Sequence, residues 1–324
     1  MSKIISVSRR TDIPAFYADW FLNRLDEGIV GWENPFGGQK YLVSLKREDV
    51  LAFAFWSKNY RPFLNVVKEV KKREYPCLFN YTITGLPKIF ESEVVEVDDA
   101  IDSFREVSAL FSPSHIGWRY DPILISDQTG SQYHYDRIEY IASRLAGYTD
   151  RCFISFAVQY GKVERNFRSF SKETGITFVD PEEADRITMA NRLAEIVNRY
   201  GMQMYTCCGD YLIGDRIKKG HCLDGDLLSL LYPEQEWKVK RKPTRKECGC
   251  TESTDIGKYD TCPHGCIYCY ANMNKQRADT LYSLRDDESV FLGYSKEDSE
   301  RFMVNVKLPK EHSKPMAQQM KFGF

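Results

Sequence analysis

The strongest chemical signal in the chain is a group of three cysteines near its C-terminal end, within the sequence C-P-H-G-C-I-Y-C. Cys262, Cys266 and Cys269 have the spacing C-x3-C-x2-C, and Pro263 and Gly265 allow tight turns between them. Three thiolates from one short loop can hold three corners of a cubane iron–sulfur cluster. The fourth iron then lacks a protein ligand and can bind another molecule. The spacing therefore predicts an iron–sulfur site with one open iron.

Two other interpretations of these cysteines stay open at the level of sequence. They fit a structural zinc site if His264 or a distant cysteine supplies the fourth ligand. They also fit reduced thiols without a metal. Zinc loops more often contain C-x2-C pairs, so the spacing favours the cluster over zinc.

The loop resembles the signature of radical S-adenosylmethionine (SAM) enzymes, and its C-Y-A-N ending is similar to that of spore photoproduct lyases. The resemblance implies that SAM binds the open iron and that Tyr268 lies against its adenine. It also implies cleavage of SAM to methionine and a 5′-deoxyadenosyl radical, hydrogen abstraction from a substrate, and an external electron donor of the flavodoxin or ferredoxin type. In those enzymes the loop follows the first barrel strand, whereas here it lies after about four-fifths of the chain.

The chain as a whole, over residues 1–272, resembles a little-characterised bacterial family of unknown function. That family has S-R-R-T-D-I-P near its N-terminus, found here from Ser8 to Pro14, and a radical-SAM-like cysteine cluster at its C-terminus. The resemblance implies a cluster and a barrel, but it does not imply a substrate.

A second group of cysteines precedes the loop. Its candidate ligands for an auxiliary [4Fe–4S] cluster or a zinc ion are Cys207, Cys222, Cys248 and Cys250. Cys207 is preferred to Cys208 because it lies nearer the end of a predicted strand, and His221 is a substitute ligand. Buried, reduced thiols are the alternative, as expected for Cys77 and Cys152.

The first 206 residues alternate between strand and helix patterns, and polar residues recur where strands end. A helix is predicted from Pro14 to Glu27, with Asp12 as its cap. The alternation predicts an α/β fold that forms a full or partial TIM-like barrel with a C-terminal cysteine-rich iron–sulfur region. A doubly wound open sheet would give the same local pattern.

The polar residues at these strand ends are candidates for binding SAM or an anionic substrate, because barrel enzymes carry their chemistry at that edge. They are Arg9, Arg10, Lys58, Arg119, Asp121 and Lys162. Arg119 and Asp121 could also simply pair with each other, and the N-terminal arginines could pair with Asp12 to hold a turn.

Three regions are expected along the chain. Residues 1–206 form the barrel-like domain, residues 207–272 form a cluster-binding region that docks on it, and residues 273–324 are a C-terminal extension. The end of the extension, from Lys307 to Phe324, is expected to be mobile or to cross the surface.

The charge balance limits the partners that the chain is expected to bind. Lys plus Arg total 45 and Asp plus Glu total 46, so no global field attracts nucleic acid or an anionic membrane. The basic run at residues 238–246 is more typical of a solvated linker than of a nucleic-acid contact. The absence of a long apolar run or a signal-like N-terminus predicts a cytoplasmic protein.

The radical SAM enzyme is the first hypothesis for function. The second is a binding or electron-transfer protein stabilised by zinc or by a closed cluster. The third is an enzyme that repairs or modifies nucleic acid, which the near-zero net charge disfavours.

Overall fold

The computed structural model of the protein describes residues 2–158, 161–243, 245–304 and 306. Its strands are β1 (Lys3–Val7), β2 (Ile29–Glu33), β3 (Lys40–Ser44), β4 (Val50–Ser57), β5 (Cys77–Thr82), β6 (Ile116–Ile123), β7 (Arg151–Phe156), β8 (Gln203–Thr206), β9 (Ile217–Lys219) and β10 (Thr254–Asp255). Its α-helices are α1 (Ile13–Phe16), α2 (Ala18–Glu27), α3 (Leu64–Lys72), α4 (Val97–Leu110), α5 (Ser131–Leu145), α6 (Gly161–Thr174), α7 (Glu183–Arg199), α8 (Gly225–Leu231), α9 (Lys275–Ser283) and α10 (Lys296–Met303).

Eight strands form one sheet in the order β10-β1-β4-β5-β6-β7-β8-β9, and every neighbouring pair is parallel. β2 and β3 form a separate antiparallel hairpin. The α/β class predicted from sequence is confirmed. The outer strands are β10 and β9, and no pairing within the described part of the chain joins them, so a closed barrel is not observed.

The two faces of the sheet pack against different parts of the chain, because successive side chains along a strand point to opposite faces. On the first face, Phe55, Phe79 and Trp118 pack in one large core with apolar residues of α1, α2, α3, α4, α5 and α7. On the other face, which we call the cysteine face, Ala54 and Leu78 pack with residues that include Leu223, Leu228, Cys207, Cys248 and Cys250. The segment after residue 206 therefore covers the face that the helices leave open.

The predicted helix from Pro14 to Glu27 is in fact two helices, α1 and α2, separated at Tyr17. Tyr17 has φ −134° and ψ 37°, which is not helical, and its buried hydroxyl donates a hydrogen bond to the carbonyl of Thr261 at 2.5 Å. Asp12 caps α1, as expected, through a bond from the backbone N–H of Ala15 at 3.0 Å. The break thus directs Tyr17 towards the cysteine loop.

Helix α6 is absent from the sequence-based assignment, and it changes the position of Lys162. That residue lies in the first turn of α6, beyond the end of β7, and not at a strand end. The apolar face of α6 buries Val163 and Phe167, and the Phe167 ring stacks on Phe178 at 4.3 Å between centroids.

The C-terminal extension contains two helices, α9 and α10, in its first part. The prediction for Lys307 to Phe324 lies outside the described residues. Within the part of the chain that is described, no helix combines the length and the apolar character that crossing a bilayer requires.

Candidate functional site

A cavity of about 300 Å³ lies where β1, β4, β5, β6 and β7 end, and all three loop cysteines line it. Of the residues singled out from sequence, the cavity brings together Arg9, Arg10, Lys58, Arg119, Asp121, Cys222, Cys262, Cys266, Tyr268 and Cys269. Lys162, Cys207, Cys248 and Cys250 are not among its lining residues. One cavity therefore joins the strand-end residues to the loop and to one member of the second cysteine group.

Asp12 anchors the cysteine loop to the start of the chain. One carboxylate oxygen accepts a hydrogen bond from the Ser57 hydroxyl at 2.7 Å, in addition to the α1 cap. The other oxygen accepts from the backbone N–H of Lys58 at 2.7 Å and lies 2.7 Å from Nε2 of His264. Because Asp12 is nearly fully buried, a charge there requires this complete set of donors. Its role in this structure is therefore to hold the loop.

His264 is fully engaged within the protein. Its Nε2 bonds to Asp12, its Nδ1 lies 3.4 Å from the carbonyl of Glu93, and the Phe16 ring packs edge-on against it at 4.5 Å. Both ring nitrogens are thus occupied. The geometry gives no support to the alternative in which His264 closes a zinc site.

The segment around Glu91 holds the opposite side of the loop. The N–H of Glu93 donates to the carbonyl of His264 at 3.1 Å, and the N–H of Ile267 donates to the carbonyl of Phe90 at 3.1 Å. Between these contacts Gly265 has φ +69°, and a Cβ atom there would collide with the Ser92 hydroxyl. Glycine is therefore required where the loop passes closest to its support.

Lys58, Glu91 and Tyr268 form a buried polar cluster beside the loop. Lys58 Nζ lies 2.8 Å from Glu91, the Tyr268 hydroxyl also donates to Glu91, and Lys58 lies 5.7 Å from the centre of the Tyr268 ring. Burial opposes the charge of Lys58, but Glu91 and then Cys266 raise its pKa above the ordinary value. These contacts fix the Tyr268 ring at the cavity, and its contact with adenine stays a prediction.

The N-terminal arginines lie against a segment that leads to the loop. The carboxylate of Asp255 accepts hydrogen bonds from the Ser6 hydroxyl at 2.6 Å, the Ser8 hydroxyl at 2.5 Å and the N–H of Arg9 at 2.9 Å. The Arg9 guanidinium lies 5.3 Å from the centre of the Trp56 ring, and the Tyr270 hydroxyl donates to the carbonyl of Arg9 at 2.7 Å. The S-R-R-T-D sequence thus positions β10 and the loop as well as lining the cavity.

Arg119 and Asp121 form an ion pair, and the pair also lines the cavity. Asp121 accepts a further bond from the Ser155 hydroxyl, and Arg119 Nη1 donates to Sγ of Cys222 at 3.1 Å. Arg119 and Asp121 therefore do both things considered from sequence, since they pair with each other and line a cavity. Through Arg119, the cavity contacts the second group of cysteines.

Three sulfur atoms of the second cysteine group lie closer to one another than the three sulfur atoms of the loop do. Among the described residues, Sγ of Cys207, Cys222 and Cys250 all lie within 4.8 Å of one another, and Cys207 and Cys250 are 3.9 Å apart. We call these three residues the sulfur triad. Hydrogen bonds from the other two thiols, and then the Arg119 guanidinium, lower the pKa of Cys222. Cys248, which the sequence had included, lies outside the triad, as do Cys208 and His221.

The loop cysteines are spaced differently. Cys262, Cys266 and Cys269 do not form a group within 4.8 Å in the described chain. Burial and then the Asp12 carboxylate raise the pKa of Cys262, and Cys269 and Cys266 raise it further. The loop sulfurs lie close enough to interact, but the distances between them are larger than those in the triad. A cubane cluster, whose thiolates bind separate irons, suits the wider spacing better than a single ion does.

Three buried polar atoms near the loop have no hydrogen-bond partner among the described residues. They are Oγ1 of Thr11, Oδ1 of Asn272 and Nζ of Lys162. Thr11 and Asn272 line the cavity, and the Cys269 thiol and the Asp260 carboxyl group interact electrostatically with Lys162. Buried polar atoms are seldom left unpaired, so this set suits a polar ligand.

The described lysines and arginines of the basic run at residues 238–246 are exposed, and ion pairs neutralise part of their charge. Lys238 pairs with Glu236 at 2.7 Å, and Lys242 pairs with Glu252 at 2.7 Å. Exposed pairs of this kind contribute little to stability and offer no built site.

Sequence reasoning missed several lining or supporting residues: Trp56, Glu91, Ser155, Arg245, Asp255 and Asn272. Trp56 and Ser155 could have been found from the alternation of side chains in their strands. Glu91 and Asp255 lie in segments without a recognisable motif, and only the folded chain brings them to the site.

Comparison with known proteins gives the chain a family. A sequence-family model described as a domain of unknown function (DUF1848) matches residues 4–271, and the chain belongs to that family. A comparison with curated proteins found no match.

Proposed function

We propose that this member of the DUF1848 family is an iron–sulfur enzyme of the radical SAM type. Cys262, Cys266 and Cys269 would hold a [4Fe–4S] cluster with one open iron, to which SAM binds. The observation that carries the proposal is that the three loop cysteines line one cavity together with cationic strand-end residues, while His264 is bound to Asp12.

The residues present fit such a group in three ways. The loop supplies three thiols, and its histidine is engaged elsewhere, so the described loop supplies no fourth ligand. The sulfurs of the loop are spaced more widely than those of the sulfur triad. The close spacing of the triad suits a single ion, whereas the wider spacing of the loop suits a cubane cluster. Unpartnered polar atoms of Thr11 and Asn272 line the cavity and could bind the polar groups of SAM, and the buried Lys162 ammonium acts on the loop electrostatically through Cys269.

A cluster with bound SAM would supply one-electron cleavage of SAM and a 5′-deoxyadenosyl radical that removes a hydrogen atom from the substrate. The protein's own part is to hold the loop, exclude water and orient the reactants. Asp12 and Glu91 hold opposite sides of the loop through the contacts described above. An external flavodoxin or ferredoxin would deliver the electron.

The cations at the cavity favour a small anionic substrate. Arg9, Arg10, Lys58 and Arg119 all line it. Lys58 pairs with Glu91, Arg119 with Asp121 and Arg9 with Asp255, whereas Arg10 has no ion pair among the described residues. A cavity of about 300 Å³ is at the small end of the range for ligand sites. A cluster and SAM at the loop would occupy much of it, which favours a compact substrate.

The sheet would serve as a partial barrel in this enzyme. Its central strands follow one another in chain order, their helices lie on one face, and the cysteine-rich region covers the other. Parallel strands of this kind place polar residues at a common edge, which is where barrel enzymes act.

The direct test uses the full chain, purified and reconstituted with iron and sulfide without oxygen, and then incubated with dithionite and SAM. Formation of 5′-deoxyadenosine and methionine is the expected result, and omission of either dithionite or SAM should abolish it. Zinc in place of iron at the loop would overturn the proposal. So would an intact cluster that binds no SAM and cleaves none.

A further inference from the structure

The sulfur triad is built from three parts of the chain that the fold fixes in place. Cys207 directly follows β8, Cys222 follows β9, and Cys250 precedes β10. The amide of Asn80 donates to the carbonyl of Cys222 at 3.0 Å, and the N–H of Lys242 donates to the carbonyl of Cys250 at 2.9 Å. The three sulfurs therefore meet through strand positions and backbone contacts, and not through a local sequence motif.

The spacing of the triad is that of ligands to one metal ion. Four thiolates at a Zn–S distance of about 2.3 Å in a tetrahedron place their sulfurs about 3.8 Å apart. The distance between Sγ of Cys207 and Sγ of Cys250 is 3.9 Å, and all three sulfurs lie within 4.8 Å. A cubane cluster, expected from sequence as one option here, needs a wider arrangement than this.

One side of the triad opens to the cavity. Cys222 lines the cavity, and Arg119, which donates to its sulfur, lines it as well. Within the described chain, the ligand atoms of Cys248, Cys208 and His221 lie outside the group. Structural zinc sites have four protein ligands, whereas sites with three keep a position for water or substrate.

We propose that Cys207, Cys222 and Cys250 bind a single thiophilic divalent ion of the zinc class, whose fourth position faces the cavity. Three thiolates and a divalent ion carry one excess negative charge, and the Arg119 guanidinium, which also pairs with Asp121, donates a charge-assisted hydrogen bond to Cys222 at 3.1 Å. An occupant of the cavity with a nitrogen, oxygen or sulfur donor would complete the coordination. The metal site stands independently of the proposed function, because no part of it requires the cluster or SAM.

The test is a Co²⁺ titration of the full chain in which Cys262, Cys266 and Cys269 are all replaced by serine, so that the loop cannot bind metal. Tetrahedral Co²⁺–thiolate sites show intense visible ligand-field bands and sulfur charge-transfer bands. We expect one Co²⁺ per chain with these bands. Cys207→Ser, Cys222→Ser and Cys250→Ser in this background should each weaken binding by more than about 100-fold.

Matched serine variants test the membership of the site. Cys208→Ser and Cys248→Ser should change Co²⁺ affinity by less than about threefold, because neither sulfur belongs to the triad. If Cys248→Ser or His221→Ala abolishes the tetrahedral spectrum, that residue closes the site and the open position is refuted.

Added imidazole tests the open position directly. It should shift the ligand-field bands at an open site, and an unchanged spectrum at saturating imidazole would refute the open position. Iron and sulfide retained by the loop variant after reconstitution would show a cluster at the triad and overturn the single-ion assignment. If the loop variant does not fold, the difference between titrations of the unaltered chain and of Cys250→Ser gives the same readout.

Discussion

The two cysteine groups differ in how the chain builds them. The loop cysteines lie within eight residues of one another and depend on distant residues for support, chiefly Asp12 and Glu91. The triad cysteines come from distant parts of the chain and meet because strands bring them together. The loop sulfurs are widely spaced, whereas the triad sulfurs are close. One cavity contacts both, through the three loop cysteines and through Cys222, so the two proposed metal sites would face the same bound molecule.

Replacing a loop cysteine should have the largest effect. Cys266→Ser removes one of the three proposed cluster ligands, so we expect SAM cleavage to fall by more than about 1,000-fold, with loss of the cluster's absorbance. The matched control is Cys208→Ser, which lies outside both groups and should cleave SAM at close to the unaltered rate. Equal losses in the two variants would mean that the loop has no special role.

Asp12→Asn tests the support of the loop. The buried carboxylate accepts from Ala15, Ser57 and Lys58 and bonds to His264, and an amide can satisfy only part of this set. We expect the free energy of unfolding of the metal-free protein to fall by about 3 kcal/mol, measured in urea.

The control for this variant is Asp102→Asn on the exposed surface of α4, where the change should be within about 0.5 kcal/mol. A small effect at Asp12 as well would show that the loop does not depend on the start of the chain.

Gly265→Ala should act more locally. The left-handed φ of +69° and the collision with Ser92 predict a loss of about 1–2 kcal/mol in unfolding free energy and faster loss of iron from the reconstituted protein. Gly214→Ala is the control, since its added Cβ meets nothing within 4 Å and its φ is not positive. Iron release at the same rate from both variants would contradict the importance of the Gly265 turn.

Lys162→Met should have the smallest effect on stability, and it should stabilise the protein where the other variants destabilise it. Its Nζ is buried without a described partner, and burial lowers the pKa of Lys162. Removal of this charge should raise the unfolding free energy by up to about 1 kcal/mol while it weakens SAM binding about tenfold. Lys172→Met, on the exposed side of the same helix, should change neither. A destabilised Lys162→Met protein with unchanged SAM affinity would assign the residue a structural role only.

The sequence predicted those features that local patterns encode. The loop spacing and most strands of the parallel sheet could be identified, because cysteine spacing and side-chain alternation are short-range signals. The hydrogen bond between Asp12 and His264 joins residues 252 positions apart, so no local sequence pattern could predict it. The separation of Cys248 from the triad likewise depends on which sulfur the folded backbone directs towards Cys207 and Cys222, since Cys248 is buried as well. Helix α6 was missed since its apolar face is narrow, with Val163 and Phe167 buried.

The most direct test of the account is the metal content of two variants, Cys266→Ser and Cys222→Ser, each reconstituted with iron and sulfide in the presence of zinc. We expect Cys266→Ser to lose iron and sulfide but to keep zinc. We expect Cys222→Ser to lose zinc but to keep about four irons per chain. Loss of the same metal from both variants, or zinc lost from Cys266→Ser alone, would contradict the division into a cluster loop and a single-ion triad.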